Sequence, residues 1–124
     1  MKNLHNKILG NFGEDAAAQH LCDKGYTIVA QNFRIRTAEI DIIAQLDNCL
    51  TFIEVKTRQS ADFGTPAEAV NARKRQKIEL AVNHYLAEND WNGDIRVDVV
   101  EVYGTLERGR FLVNEINHIE NVVN

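Results

Sequence analysis

Cysteine and proline are scarce in this chain, and it has no long apolar run. Of its 124 residues, two are cysteines and one is a proline. Cys22 and Cys49 lack the close spacing of metal-binding cysteines, and two isolated thiols are typical of a reducing compartment rather than of a disulfide scaffold. Residues 1–10 have no apolar run of signal-peptide length, and no segment approaches the length of a membrane span. We therefore expect a cytoplasmic protein with no membrane partner.

An excess of positive charge is also absent. The chain carries 14 Lys and Arg against 18 Asp and Glu, which gives a formal net charge of −4. This excludes a generally basic surface, so any contact with nucleic acid has to come from a local patch. Hydrophobic residues make up 44% and charged residues 26%, which excludes a disordered tail and a fibrous repeat. The length predicts one domain over residues 1–124.

The pattern of apolar residues predicts an α/β protein with a single mixed β-sheet flanked by helices. Gly25 is suited to end a first helix, whereas Thr65 and Pro66 are suited to begin a second as its N-cap and first residue. Segments rich in β-branched and aromatic residues predict the strands. The predicted order is α-β-β-β-α-β over residues 4–24, 26–34, 38–46, 49–58, 67–88 and 95–103, followed by a short strand at 110–113 and a small helix at 116–123.

The most informative segment is the hairpin formed by the second and third predicted strands. Asp47-Asn48 suits a two-residue turn, because both residue types tolerate positive φ. Such a turn sets a register in which the numbers of paired residues sum to 95. Asp41 then lies opposite Glu54, and Glu39 lies opposite Lys56, with all four side chains on one face. A three-residue loop would shift this register by one residue.

Two opposed carboxylates indicate a cation site. Opposed strand side chains have Cβ atoms about 4.5–5.5 Å apart, so Asp41 and Glu54 would repel each other. A divalent cation removes that repulsion, and two carboxylates with a backbone carbonyl and waters suit Mg²⁺ or Mn²⁺. Lys56, on the same face, can neutralise charge, orient a water or stabilise charge on a phosphate.

The alternative is an exposed polar face on which the same four side chains form surface ion pairs. The other residues on this face are Ile43, Leu50 and Phe52, so the charges interrupt an otherwise apolar surface. Charged groups in such surroundings are uncommon unless they have a role, and the pattern therefore favours the metal site.

The helices add further candidates. Lys74 fills a gap in the apolar stripe of the second predicted helix, and Glu14 precedes the stripe of the first. Either side chain could instead extend to solvent at the edge of its stripe. A run of cations is either a phosphate-binding patch or a solvated face, and its members are Arg58, Arg73, Lys74, Arg75 and Lys77.

Other chemistries have little support. The four histidines are scattered and form no ligand motif, so surface or helix-packing roles are expected for them. The sequence contains no glycine-rich phosphate loop and no nucleophile elbow. Asp98 is expected to pair locally with Arg96, two residues away on the same strand.

At this point the candidate residues resemble a known nuclease pattern. Asp41 followed by Glu54-Val55-Lys56 is similar to the D…(D/E)-x-K signature of the PD-(D/E)xK nuclease superfamily, and a longer series resembles its YraN family. That series covers nearly the whole chain and consists of Gly13-Glu14, Ala16-Ala17, Gly25-Tyr26, Asn32-Phe33-Arg34, residues 39–43 and 52–58, Phe63-Gly64, Lys74, and residues 96–100. The resemblance implies a restriction-endonuclease-like fold, similar to that of archaeal Holliday-junction resolvases.

The resemblance also implies roles for single residues. Asp41, Glu54 and the Val55 carbonyl would bind the metal, and Lys56 would lie beside the attacked phosphate. Glu14 would be the helix-borne acid and Lys74 the helix-borne basic residue, with Glu39 in support. Two positions depart from the pattern, since Ile40 stands where the superfamily has proline and Ala38 where the family has glycine.

These observations predict an endonuclease, dependent on Mg²⁺ or Mn²⁺, that hydrolyses DNA phosphodiester bonds, including those of structured or branched DNA. One alternative is a nucleic-acid-binding module that has the fold but little turnover. Another is an interaction protein whose acidic hairpin faces solvent and binds neither metal nor DNA. A homodimer is left open.

Overall fold

The computed structural model describes residues 4–59 and 72–122, which contain two helices and five strands. In chain order these are α1 (Leu4–Asp23), β1 (Thr27–Ile35), β2 (Ala38–Leu46), β3 (Cys49–Gln59), α2 (Ala72–Glu88), β4 (Asp94–Glu107) and β5 (Arg110–Ile119). The predicted α/β class and the predicted order of helices and strands are confirmed.

All five strands belong to one mixed sheet in the order β1-β2-β3-β4-β5. β3 and β4 are parallel and are connected through α2, whereas the other neighbours are antiparallel. The predicted hairpin register is confirmed, because pairing runs from Leu46↔Cys49 to Ile42↔Ile53. Asp47 takes the positive φ, 53°, that the two-residue turn requires.

Each face of the sheet packs against one helix, because strand side chains alternate between the two faces. Ile42 and Ile53 belong to the core formed with Ala17 and Leu21 of α1. Their neighbours in sequence face the other way and form a second core with α2, which contains Ile43, Phe52, Ile78, Ala81 and Val82. The end of the β2–β3 hairpin remote from its turn therefore lies between the two helices.

The end of α1 follows the prediction closely. Gly25 has a φ of +96°, and the Tyr26 N–H donates a 3.0 Å hydrogen bond to the Leu21 carbonyl. This pattern closes a helix with a left-handed glycine. The predicted start of α2 at Thr65 and Pro66 lies outside the described residues, as does Phe63-Gly64. None of the helices in the described part of the chain is long and apolar enough to cross a membrane.

The small C-terminal helix predicted at residues 116–123 is wrong. Ile116 and His118 belong to β5, where they pair with Val102 and Val100 of β4. Ile116 packs against the α1 core, and His118 contacts Asp98 on β4. The spacing of Ile116 and Ile119 suits a helical stripe, but pairing along β4 outweighs this local pattern, and β5 extends well beyond the predicted strand at 110–113.

Candidate functional site

A cavity of about 820 Å³ lies where the β2–β3 hairpin meets the two helices. The predicted site residues that line it come from four elements, and they are Glu14 of α1, Glu39 and Asp41 of β2, Glu54 and Lys56 of β3, and Lys74 of α2. The structure thus brings together all the residues predicted to be catalytic. Arg73 and Lys77 also line the cavity.

Asp41 occupies the point where regular pairing between β2 and β3 ends. The last regular pair of β2 and β3 is Ile42↔Ile53. Beyond this pair, the Val55 N–H donates a 2.7 Å hydrogen bond to Oδ2 of Asp41. The carboxylate thereby replaces a backbone partner of β3. Asp41 is only 9% exposed, which makes it a nearly buried acid at the edge of an open cavity.

The surroundings of Asp41 disfavour the ionised form of its carboxylate. Burial, followed by the negative charge of Glu54, raises the pKa of Asp41 to about 7, although the Val55 hydrogen bond opposes the shift. The charges of Glu14 and Glu39 act in the same direction as Glu54. Four acidic side chains thus surround one region of the cavity.

Glu54 is paired with two lysines through a single oxygen. Its Oε1 lies 2.5 Å from Nζ of Lys74 and 3.5 Å from Nζ of Lys56. Burial lowers the pKa of Lys56, and the neighbouring Lys74 lowers it further. Burial also lowers the pKa of Lys74, but the hydrogen bond and charge of Glu54 outweigh this and leave the pKa raised. Lys74 is therefore the more firmly charged of the two.

Glu39 has a different contact from the one its register suggests. The sequence placed it opposite Lys56, but its carboxylate is bound by the guanidinium of Arg34, its partner on β1. A β2 residue has a neighbour on each side, and the β1 neighbour makes this ion pair. Glu39 still lines the cavity.

Close packing between α1 and β3 brings Glu14 to the cavity. A Cβ on Gly13 would overlap the side chain of Thr57, so only glycine permits this approach. Glu14 follows directly and adds its charge to the field around Asp41. The spacing of apolar residues in α1 does not predict this close approach of Gly13 to β3.

The remaining predicted cations differ in position. Arg75 is exposed on α2, whereas Arg58 is half-buried on β3, two residues beyond Lys56. The Nε of Arg58 is buried and has no hydrogen-bond partner within the described ranges.

The oxygen donors suit a hard cation with few protein ligands. Within residues 4–59 and 72–122, no three or more His, Cys, Asp and Glu side chains are arranged to hold a metal ion. Mg²⁺ commonly retains several waters and binds through one or two carboxylates, so Asp41 and Glu54 meet its needs without a third side chain. The repulsion between these two acids would be relieved by such an ion.

A second buried charge network was only partly predicted. Asp98 is fully buried and receives two 2.9 Å hydrogen bonds from Arg96, as the sequence indicated. His118 also contacts Asp98 at 2.6 Å, and the Asn121 N–H donates at 2.9 Å. Tyr26 completes the set by accepting a 2.7 Å hydrogen bond from Arg96. A lone aspartate in the apolar run of β4 was the available signal for this network.

We expect the stability of the metal-free protein to fall as the pH rises. The pKa of Asp41 is raised above its unfolded value of 3.8 to about 7, so the folded state binds the extra proton between these values. Stability is then greatest at the acidic end of this window and declines toward pH 7, by roughly 2–4 kcal/mol. Asp41→Asn should remove most of this dependence and stabilise the protein at pH 8 in EDTA.

Urea unfolding between about pH 5 and pH 8 measures this effect. Asp47→Asn is the matched control, since Asp47 is an exposed turn residue of the same hairpin. The control should retain the wild-type slope. If the stability of the wild type does not change with pH over this range, the pKa of Asp41 is not raised in the folded protein.

Comparison with known proteins gives the family of the chain. A sequence model of the uncharacterised protein family UPF0102 matches residues 13–102, a span that includes the cavity residues from Glu14 to Lys74. The chain is 42% identical over 122 residues to a UPF0102 protein of Caldanaerobacter subterraneus subsp. tengcongensis, with 98% of each chain covered. It is 46% identical over 117 residues to one of Flavobacterium psychrophilum, with 94% of this chain and 93% of the relative covered. The chain therefore belongs to the uncharacterised protein family UPF0102.

Proposed function

We propose that this protein is a metal-dependent endonuclease that hydrolyses DNA phosphodiester bonds. The observation that carries the proposal is that a nearly buried Asp41 and Glu54 line one cavity with two lysines, close enough for the charge of Glu54 to raise the pKa of Asp41. Two acids this close destabilise the folded protein, and a role in binding a cation beside an anionic substrate explains their presence. The resemblance to the PD-(D/E)xK nucleases and to the YraN family supports the same assignment.

Asp41 and Glu54 would hold Mg²⁺ or Mn²⁺, with the Val55 carbonyl as a backbone ligand. When bound, such a cation polarises the phosphate and lowers the pKa of an attacking water. Glu14 and Glu39 support the site by adding negative charge around Asp41. Lys56, a quarter exposed at the cavity wall, is placed to stabilise charge that develops on the phosphate.

The basic end of α2 would bind the flanking DNA backbone. Arg73, Lys74 and Lys77 line the cavity, and a protein with a formal net charge of −4 needs such a local patch. Arg75 and Arg58 would contact phosphates further from the cavity.

A cleavage screen tests the proposal directly. Duplex, single-stranded, flap and four-way-junction DNA are incubated with Mg²⁺, with Mn²⁺ and with EDTA. We expect metal-dependent cleavage of at least one substrate, and its loss in Asp41→Asn and Glu54→Gln. Cleavage that survives both substitutions would contradict the assignment.

One observation favours a second candidate, a DNA-binding module with little turnover. The lysine contacts of Glu54 already neutralise one of the two proposed metal ligands. This candidate predicts salt-sensitive DNA binding without cleavage of any substrate in the screen.

Under either candidate, we expect the salt dependence of DNA binding to identify the phosphate contacts. Each neutralised phosphate contributes a slope of about −0.9 to a log–log plot of affinity against salt. Lys77→Ala should therefore flatten the slope by about one unit, because Lys77 lines the cavity. Arg75→Ala is the matched comparison from the same helix and should have a smaller effect. An unchanged slope in both variants would place the DNA path elsewhere.

A further inference from the structure

The two proposed metal ligands differ in how their charges are compensated. Glu54 is bound by the ammonium group of Lys74 at 2.5 Å and lies 3.5 Å from that of Lys56, and its side chain is 12% exposed. Asp41 receives a hydrogen bond from the neutral Val55 N–H. Two ammonium groups therefore compensate the charge of Glu54, whereas the direct hydrogen-bond donor of Asp41 is neutral.

Lys74 occupies Oε1, one of the two oxygens through which Glu54 can bind a cation. Its ammonium group is a compact charge at contact distance from Oε1, and it reaches that atom from α2, across the cavity from β3. A divalent cation and this ammonium group repel each other at such range, so both cannot share the Glu54 oxygen in the same geometry.

We propose that Lys74 is a placeholder for the cation: it holds Glu54 in the metal-free protein, leaves Glu54 when the cation binds, and is then available to a phosphate of the nucleic acid. This inference rests on the proposed function and adds that the cation binds before Lys74 contacts the phosphate. Metal binding converts Lys74 from a partner of a protein carboxylate into a partner of the substrate.

The placement of Lys74 on α2 supports the second half of this exchange. Arg73 and Lys77 of the same helix line the same cavity, so a released Lys74 joins cations that already face the proposed DNA path. After the cation binds, an anion can contact the released Lys74 as well as the cation itself. Cation and DNA are expected to bind cooperatively, and by reciprocity each raises the affinity of the other by the same factor.

A different role for Lys74 makes the opposite prediction. If Lys74 orients Glu54 for the cation, its removal leaves the carboxylate free to rotate and weakens cation binding. If Lys74 is a placeholder, its removal frees the ligand and strengthens cation binding. The direction of the change in affinity therefore separates the two roles.

Calorimetric titration with Mn²⁺ alone measures that direction. The proteins are the wild type, Lys74→Met and the matched control Lys77→Met, which removes one positive charge from the next turn of α2 and from the same cavity wall. We expect Lys74→Met to bind Mn²⁺ about tenfold or more tightly than the wild type, and Lys77→Met to differ by less than about threefold. Thermal unfolding of each variant confirms that it is folded.

The outcomes separate this inference from the proposed function. Unchanged or weaker Mn²⁺ binding by Lys74→Met, with normal binding by the wild type, overturns the placeholder role and leaves the metal site intact. An equal gain in both variants also overturns it, because a general charge effect then accounts for the result. Absence of Mn²⁺ binding in all three proteins rejects the metal site and the exchange together.

Binding of a short fluorescein-labelled duplex, with and without Ca²⁺, tests the release of Lys74 toward phosphate. In the wild type, Ca²⁺ should raise the affinity for the duplex severalfold. In Lys74→Met this factor should be smaller than in the wild type, because the cation alone then attracts the phosphate, whereas Lys77→Met should weaken binding in both conditions and keep most of the factor. If Ca²⁺ raises the affinity for the duplex equally in Lys74→Met and in the wild type, Lys74 is not released to the DNA.

Discussion

Asp98→Ala is expected to lower the free energy of unfolding by about 3–5 kcal/mol. Asp98 is fully buried and accepts hydrogen bonds from Arg96, from the Asn121 N–H and at the 2.6 Å contact with His118. Removing the carboxylate leaves Nε of Arg96, Nε2 of His118 and the Asn121 N–H without these bonds, although Arg96 keeps its contacts with Tyr26 and Glu120 and His118 its contact with Lys24. The loss therefore includes the cost of these unsatisfied groups as well as the lost bonds.

Urea unfolding at neutral pH measures this loss. Asp94→Ala is the matched control, because Asp94 begins the same strand and is exposed, and it should change stability by less than about 0.5 kcal/mol. Asp98→Asn should lie between the two, since it keeps the shape of the side chain but not the charge. A cost below about 1 kcal/mol for Asp98→Ala would show that the network contributes little.

The network should also fail in acid. Burial alone would raise the pKa of Asp98, but the hydrogen bonds of His118, Arg96 and the Asn121 N–H outweigh this and lower it below 3.8. A depressed pKa contributes stability that is present above the unfolded value and is lost as the pH falls through the folded value. Asp98 and Asp41 thus act in opposite directions, and the metal-free protein should be most stable in mild acid.

Lys56→Met is expected to reduce cleavage by a hundredfold or more, equivalent to about 2.7 kcal/mol of transition-state stabilisation. The side chain of Lys56 is 26% exposed at the cavity wall, and its ammonium group lies 3.5 Å from Glu54 without displacing the closer Lys74. Removing it leaves the two carboxylates in place. Mn²⁺ binding should therefore persist or become tighter, because a neighbouring positive charge has been removed.

Single-turnover cleavage at saturating metal and DNA, paired with Mn²⁺ calorimetry, tests the role of Lys56. Lys7→Met is the matched control, because Lys7 is an exposed lysine of α1 to which no role is assigned. If Lys56 only balances the charge of Glu54, its removal should lower stability without metal and spare turnover. Wild-type cleavage rates in Lys56→Met would reject Lys56 as a catalytic residue.

The parts of the site that were predictable from sequence are those governed by local geometry. A two-residue turn at Asp47-Asn48 sets the register as far as Ile42↔Ile53, and this register brings Asp41 and Glu54 near each other just beyond the paired residues. The helical stripe placed Lys74 toward the sheet for a similar reason, since spacing of three and four residues defines a face. Gly25 ended α1 because a left-handed residue was needed there.

The parts that were not predictable depend on contacts between distant segments. Which carboxylate Lys74 reaches is decided by how α2 crosses the sheet, and no spacing within α2 contains that information. Glu39 contacts Arg34 because β2 has a neighbouring strand on both sides, whereas the hairpin turn defines only the neighbour on the β3 side. His118 was expected to lie on the surface or pack within a helix, and its burial depends on β4 and Asp98.

The parallel pairing of β3 with β4 divides the folding of the site into two stages. The β2–β3 hairpin closes through a two-residue turn, and such local events take on the order of microseconds. β4 joins β3 only after the long connection containing α2 has closed, and pairing between distant segments is slower. We therefore expect the two acids of the hairpin to come together while the helix that carries Lys74 is still undocked. The rate at which the charges of the site become balanced is consequently set by closure of this connection and not by formation of the hairpin.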